Sequence, residues 1–151
     1  MKLKHTESRN MPPNKIRVVI DTNIWISFLI GKTITPGFNK LLADKRFEIL
    51  SSNELYEELK EVICRAKFSK YITRPAAEYF LQLFSVATLQ INVVSIVSIS
   101  TDTDDNFLLA LAKDGKAHFL ITGDKPHLLK LHKFENTQVI TFADFYKKFF
   151  L

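Results

Sequence analysis

The feature that most constrains this chain is an aliphatic run that ends on a carboxylate and turns directly into a helix. The run reads Val18-Val19-Ile20-Asp21-Thr22-Asn23, and Ile24-Trp25-Ile26 follows it. A short β-branched run bounded by a polar turn predicts a buried strand. In an open parallel sheet the carboxyl ends of the strands line a crevice where ligands bind. Asp21 is therefore predicted to face a ligand, either as a metal ligand or as a nucleophile.

Other apolar runs with strand character alternate with stretches of helical spacing. The predicted strands are Ile16 to Ile20, Phe47 to Leu50, Ile91 to Val94, His118 to Ile121 and Val139 to Ile140. Alternation of strands and helices predicts an α/β fold, with helices on both faces of a parallel sheet.

The predicted helices begin and end at residues with known terminal preferences. Ser52 precedes a helix over 53–65, and Pro75 opens one over 75–88. A third covers 104–114 and is closed by Gly115, where a left-handed cap is expected. Thr141 with Asp144 resembles a capping box for the last helix, 142–150.

Length and composition indicate one globular domain. The chain has 151 residues, enough to bury a core without added cross-links. Residues 1–14 carry Pro12-Pro13 and few apolar groups, so we expect a flexible basic arm there and the domain over 15–151. A single cysteine, Cys64, favours a reducing cytoplasm, and no apolar segment reaches the length of a membrane span.

Basic residues exceed acidic ones, and part of the excess is concentrated in one segment. The net charge is +5, from 21 Lys and Arg against 16 Asp and Glu. A positive surface binds phosphates by releasing counterions, so a nucleic-acid partner is plausible. The residues of this segment predicted to contact such a partner are Lys60, Arg65, Lys67, Lys70 and Arg74.

Four acidic residues occur where this architecture could bring them together. Asp21 follows the first strand, Glu58 lies on the helix after the second, Asp105 opens a later helix, and Asp124 follows the strand ending at Ile121. Clustered carboxylates repel one another unless a cation compensates their charge. Oxygen ligands without His or Cys favour Mg²⁺ or Mn²⁺, and such ions activate water for phosphodiester cleavage. These four acids are the predicted metal ligands and catalytic residues.

Neighbouring polar residues are candidates for supporting roles, and each also has a structural explanation. Asn23 could hydrogen-bond Asp21 or only shape the turn, and Thr122 could orient a carboxylate. Glu54 is a rival to Glu58 one helical turn earlier. Asp102 and Asp104 could contact the ion through water, or could simply stabilise a helix N-terminus.

The chain resembles the PIN domain superfamily of small metal-dependent ribonucleases, and within it the branch of toxin components from bacterial toxin-antitoxin pairs. Four pieces in family order carry the resemblance: Val18 to Asn23; Leu50-Ser51-Ser52 leading into Glu57-Glu58-Leu59; Asp102 to Leu108; and Ile121-Thr122-Gly123-Asp124-Lys125. Thr103 departs from the branch, which often has proline there.

The resemblance implies a three-layer α/β/α fold around a parallel sheet of four or five strands. It also implies that Asp21, Glu58, Asp105 and Asp124 bind one or two Mg²⁺ or Mn²⁺ ions for cleavage of single-stranded RNA. Members of this family often form homodimers, and the toxins are held inactive by a cognate antitoxin protein. We therefore expect a metal-dependent endoribonuclease with an RNA substrate, an antitoxin partner and a homodimeric state.

Two other functions are compatible with the sequence. A chain with this fold could bind RNA or an antitoxin without turnover. A phosphotransfer enzyme could also use an Asp after the first strand as an aspartyl-phosphate acceptor. One type of such enzyme needs a second Asp two residues later, where this chain has Asn23. The other type needs paired acids and a late lysine that Lys125 matches poorly.

Overall fold

The computed structural model describes residues 15–31, 35–123 and 125–151. The predicted arm, residues 1–14, and the predicted ligand Asp124 therefore lie outside the described residues. The strands are β1 (Ile16–Ile20), β2 (Phe47–Ser51), β3 (Leu89–Gln90), β4 (Phe119–Thr122), β5 (Lys133–Phe134) and β6 (Thr137–Thr141).

The six strands form one sheet in the order β3-β2-β1-β4-β6-β5. Five of them are parallel to their neighbours, and only the short edge strand β5 pairs antiparallel, with β6. The predicted parallel sheet of four or five strands is thus confirmed, with one short antiparallel strand added at its edge.

Seven α-helices connect or cover the strands within the described residues. They are α1 (Thr22–Leu29), α2 (Thr35–Ala43), α3 (Asn53–Ile63), α4 (Arg74–Ala87), α5 (Thr103–Asp114), α6 (Pro126–Leu129) and α7 (Phe142–Phe150), and a 3₁₀ turn covers Ala66–Phe68. Consecutive residues of β1, Val18 to Ile20, are fully buried, because helices cover both faces of the central strands. None of the helices described here combines the length and apolar character needed to span a membrane.

The order of the strands creates a switch point between β1 and β4. From β1 the chain moves outward through β2 to β3, and it then returns to the other side of β1 as β4. The connections that leave β1 and β4 run in opposite directions, which opens a crevice at their carboxyl ends. Asp21 directly follows β1, so the fold places it at this crevice.

One predicted strand and one predicted helix cap are wrong. Residues Ile91 to Val94 form no strand; pairing with β2 is confined to Leu89 and Gln90, and the following backbone is bonded by the Asp114 carboxylate instead. Gly115 ends α5 with φ −82°, so it is not left-handed, and the positive φ falls on Lys116. A Cβ at position 115 would lie 2.5 Å from Cδ1 of Leu50 and 3.0 Å from the Leu111 carbonyl oxygen, so any larger residue would require the buried Leu50 side chain to shift.

Candidate active site

Asp21 joins β1 to α1 through its backbone, and its carboxylate does not cap α1. Its N–H donates to the Ile121 carbonyl of β4 at 2.9 Å, and its own carbonyl accepts from Ile24 at 3.0 Å. The side chain makes no capping hydrogen bond to the start of α1, and the Asn23 backbone influences its charge less than burial, Lys125 and Thr122 do. Capping therefore does not explain why a carboxylate stands at this position.

The Asp21 carboxylate is almost fully buried, with 1% of the residue exposed. Thr122 at the end of β4 donates its hydroxyl to Oδ2 at 2.8 Å, whereas Oδ1 has no hydrogen-bond partner among the described residues. Burial raises the pKa of Asp21, and Lys125, Thr122 and the backbone of Asn23 only partly counter this effect. Charge on this carboxylate is thus under-compensated by the protein groups around it.

Asp105 is the second buried acid, and it lies in the first turn of α5 with 2% of the residue exposed. The hydroxyl of Ser100 donates to its Oδ2 at 3.2 Å. Asn106 fixes the loop before the helix, because its side chain accepts from the Ser100 N–H at 2.9 Å and donates to the Ser100 carbonyl at 2.8 Å. Asp105 is therefore held by its own loop and not by a cap.

Lys125 connects the two buried acids. Its ammonium nitrogen lies 3.2 Å from Oδ1 of Asp105 and 3.6 Å from Oδ2 of Asp21. Burial alone would lower the pKa of Lys125, but Asp21 and Asp105 outweigh burial and raise it. The lysine is therefore charged and neutralises part of the acid pair.

Glu58 approaches the same site from α3. The hydroxyl of Thr22, in the first turn of α1, donates to its Oε2 at 3.0 Å. Burial, followed by the nearby charges of Asp104 and Asp21, raises the pKa of Glu58 to about 6, although Thr22 and Lys125 act in the opposite direction. The influence of Asp104, Lys125 and Asp21 on Glu58 is consistent with a carboxylate that lies near the acid pair.

Only some of the predicted supporting residues lie near the acids. Asp102 is the N-cap of α5 and accepts from the Asp104 N–H at 2.9 Å, whereas Asp104 faces Glu58 closely enough to shift its pKa. Thr122 contacts Asp21 directly. The side chains of Asn23 and Glu54 are exposed, and no hydrogen bond or ion pair of the described residues links Glu54 to the acids.

Of the basic residues predicted to bind RNA, Arg65 is the one with an electrostatic link to the acids. It pairs with Glu61 at 2.9 Å, and its pKa is raised first by that pairing and further by the charges of Glu58 and Asp104. The others are also exposed: Lys60, Lys67, Lys70 and Arg74. Arg74 forms a fully exposed pair with Glu78 at 3.6 Å.

The donor groups of this crevice suit a hard divalent cation. Buried carboxylate oxygens nearly always have partners, so the orphaned Oδ1 of Asp21 beside the carboxylate of Asp105 is the kind of position a cation would fill. Within the described ranges no three His, Cys, Asp or Glu side chains form a ready-made metal cluster. Lys125 faces both acids in the present arrangement, and the predicted ligand Asp124 lies outside those ranges.

Three contacting residues were not singled out from the sequence: Thr22, Ser100 and Lys125. Thr22 and Lys125 each stand next to a predicted acid, which is a usable signal for a polar partner. Ser100 had no comparable signal, because it is one of several serines between residues 95 and 100.

Fold and site together define an α/β protein with an acidic crevice at the switch point of its sheet. A family model described as PIN domain matches residues 17–126, and the chain belongs to this family. It is 33% identical over 113 residues to an uncharacterized protein of Methanocaldococcus jannaschii, an alignment covering 74% of this chain and 72% of that protein.

A solved structure has the same fold. The crystal structure of VapBC2 from Rickettsia felis, bound to a DNA fragment from their promoter, superposes with a TM-score of 0.56 at 19% identity. The match covers 82% of this chain and 97% of the other. At this identity the similarity establishes the fold.

Proposed function

We propose that this protein is an endoribonuclease that depends on Mg²⁺ or Mn²⁺ and cleaves single-stranded RNA. The observation that carries the proposal is the buried Asp21 carboxylate, whose Oδ1 lacks a partner among the described residues and which shares a crevice with Asp105. Membership of the PIN domain family and the position at a switch point support the same conclusion.

Asp21, Asp105, Glu58 and Asp124 would hold the cation through carboxylate oxygens. Bound there, Mg²⁺ or Mn²⁺ supplies activation of a water and stabilisation of the charge that develops on the phosphate. Thr122 and Ser100 fix the orientation of Asp21 and Asp105, and Thr22 fixes Oε2 of Glu58. Side chains held in this way lose little freedom when they bind, which favours a preorganised site.

The basic surface beside the crevice supports a polyanionic substrate. Arg65 lies close enough to Glu58 and Asp104 to be influenced by their charges, and exposed lysines extend from it. A cationic border beside an acidic centre would hold the RNA backbone while the scissile phosphate meets the cation.

The function is tested by incubating the full chain with labelled, unstructured RNA in Mn²⁺, in Mg²⁺ or in EDTA. We expect cleavage only with a divalent ion, and a loss of at least about 100-fold in Asp21→Asn and in Asp124→Asn. Glu135→Gln is the matched control, because Glu135 is an exposed acid before the amino end of β6, whereas the crevice lies at the carboxyl ends of β1 and β4.

Other results would favour the alternatives. Wild-type cleavage by both Asn variants would refute the acidic site. Metal-independent RNA binding without cleavage would favour a scaffold, and phosphate trapped covalently on Asp21 would favour phosphotransfer.

The biological role that we propose is that of the toxin in a toxin-antitoxin pair, with a cognate antitoxin that binds at the acidic crevice. A homodimeric state and a cytoplasmic location remain predictions. Induced expression should stop growth of a bacterial host, and Asp21→Asn should relieve the arrest. Equal growth arrest by the wild type and by Asp21→Asn would show that toxicity does not depend on the acidic site.

A further inference from the structure

Lys125 contacts one oxygen of each of the two carboxylates that a divalent cation would need. Its ammonium faces Oδ1 of Asp105 at 3.2 Å and Oδ2 of Asp21 at 3.6 Å. Thr122 and Ser100 donate to Oδ2 of Asp21 and Oδ2 of Asp105, respectively. Among the described residues, Asp21 Oδ1 is the carboxylate oxygen of this pair that no group satisfies.

Two carboxylates at this depth need a positive charge nearby. The side chains of Asp21 and Asp105 are 1% and 3% exposed, and the lysine side chain itself is 18% exposed. Removing one partner from a buried ionic cluster leaves uncompensated charge, which is strongly destabilising. Lys125 is therefore placed to hold the two acids together in the metal-free protein.

The same placement opposes metal binding. A divalent cation at the acid pair would meet the ammonium at close range, and like charges in a weakly solvated site repel strongly. Lysine can yield, because its charge is carried on a flexible stem that can swing toward solvent. Either the ammonium or the metal can neutralise the pair, but they compete for it.

We propose that Lys125 is a tethered counter-cation that stabilises the Asp21–Asp105 pair without metal and competes with the divalent ion for it. The inference rests on the proposed function only in assigning the acid pair to metal binding. It means that the chain exchanges metal affinity for stability of the empty site, so that half-filling the site takes more Mg²⁺ or Mn²⁺ than it would without Lys125.

The test compares Lys125→Met with wild type. Mn²⁺ is titrated into the full chain, and the concentration of free Mn²⁺ is measured from its electron paramagnetic resonance spectrum. We expect the Kd of Lys125→Met for Mn²⁺ to fall by at least about threefold. In EDTA we expect its Tm to fall by at least about 6 °C, and saturating Mn²⁺ should restore most of this loss. Lys130→Met is the matched control, an equal loss of charge at an exposed residue of the same segment.

Two additional variants keep the test decisive if Lys125→Met does not fold. Lys125→Gln should reproduce the tighter Mn²⁺ binding, whereas Lys125→Arg, which retains the charge, should stay within about twofold of wild type. Unchanged or weaker Mn²⁺ binding in the uncharged variants, or an unchanged Tm in EDTA, would overturn the proposal.

The readouts separate this inference from the proposed function. Tighter Mn²⁺ binding by Lys125→Met in a protein that cuts no RNA would support the inference and refute the nuclease. RNA cleavage by wild type, together with an unchanged Mn²⁺ affinity when Lys125 is replaced, would support the nuclease and refute the inference.

Discussion

At the scale of single residues, Glu58 shows how the crevice stores unfavourable charge. Its pKa is raised to about 6, first by burial and then by Asp104 and Asp21. A carboxyl whose pKa is raised on folding binds its proton more tightly in the folded state. Its contribution to stability is therefore full below the ordinary glutamate pKa of about 4.3 and is lost as pH rises through about 6.

The variant Glu58→Gln should remove this pH dependence in the metal-free protein. In EDTA we expect equal stabilities near pH 4 and a gain in the variant on the order of 1 kcal/mol at pH 7.5, a value reduced for solvent screening of the half-buried side chain. Urea unfolding at each pH measures the difference. Glu57→Gln, at an exposed neighbouring position, should follow the wild-type profile; a gain in Glu58→Gln that is the same at every pH would contradict the explanation.

The role of a single residue could be predicted where it depends on neighbouring positions in the sequence, and not where it depends on a contact with a distant segment. The position of Asp21 follows from one strand and the turn after it, which the sequence shows directly. Its contact with Lys125 and the contact of Thr22 with Glu58 join segments that are 104 and 36 positions apart (125 − 21 and 58 − 22). Such pairs depend on how strands are ordered in the sheet, which spacing along one chain does not reveal.

At the scale of elements, amphipathic periodicity was the reliable signal. Helices α3 and α5 begin and end close to their predicted limits, and Ser52 caps α3 by accepting from the Leu55 N–H at 3.2 Å. Prediction failed for residues 91–94, where alternating exposure resembles a strand but the Asp114 carboxylate binds the backbone instead. The helices α2 and α6 were not predicted, because nine and four residues leave little periodicity to detect.

The segment after α3 is the element that we expect to hold RNA. Charge reversal of Arg65 and Lys67 together should weaken binding and reduce the salt slope by about 1.4, since each lost phosphate contact on a single strand removes about 0.7. Affinity is measured in EDTA over a series of salt concentrations, so that cleavage does not interfere. Reversal of Lys147 and Lys148, exposed on α7, is the control; an unchanged slope in the Arg65 and Lys67 variant would place the RNA elsewhere.

At the scale of the whole molecule, the first strand begins close to the start of the described residues. Strand β1 begins at Ile16, and the match to the PIN domain begins at residue 17. The Ile16 N–H is already bonded to the Arg46 carbonyl at 2.8 Å. The backbone of β1 is therefore hydrogen-bonded from its first residue, Ile16.

Deletion of residues 2–14 should leave the fold intact. We expect the Tm of the shortened chain to stay within about 2 °C of the full chain, since surface segments outside a core contribute little to stability. Thermal unfolding followed by circular dichroism measures this. A loss of more than about 5 °C would mean that the arm is part of the domain.

The hydrogen bond from Thr122 to Asp21 spans 101 positions of the chain. A ribosome that makes this protein releases Asp21 early, but β4 and Lys125 must also emerge before the crevice can close around it. A nascent chain that ends before β4 therefore has an acid without its partners. If the finished protein cuts RNA, the ribosome must pass Lys125 before a copy made from that message can attack a transcript.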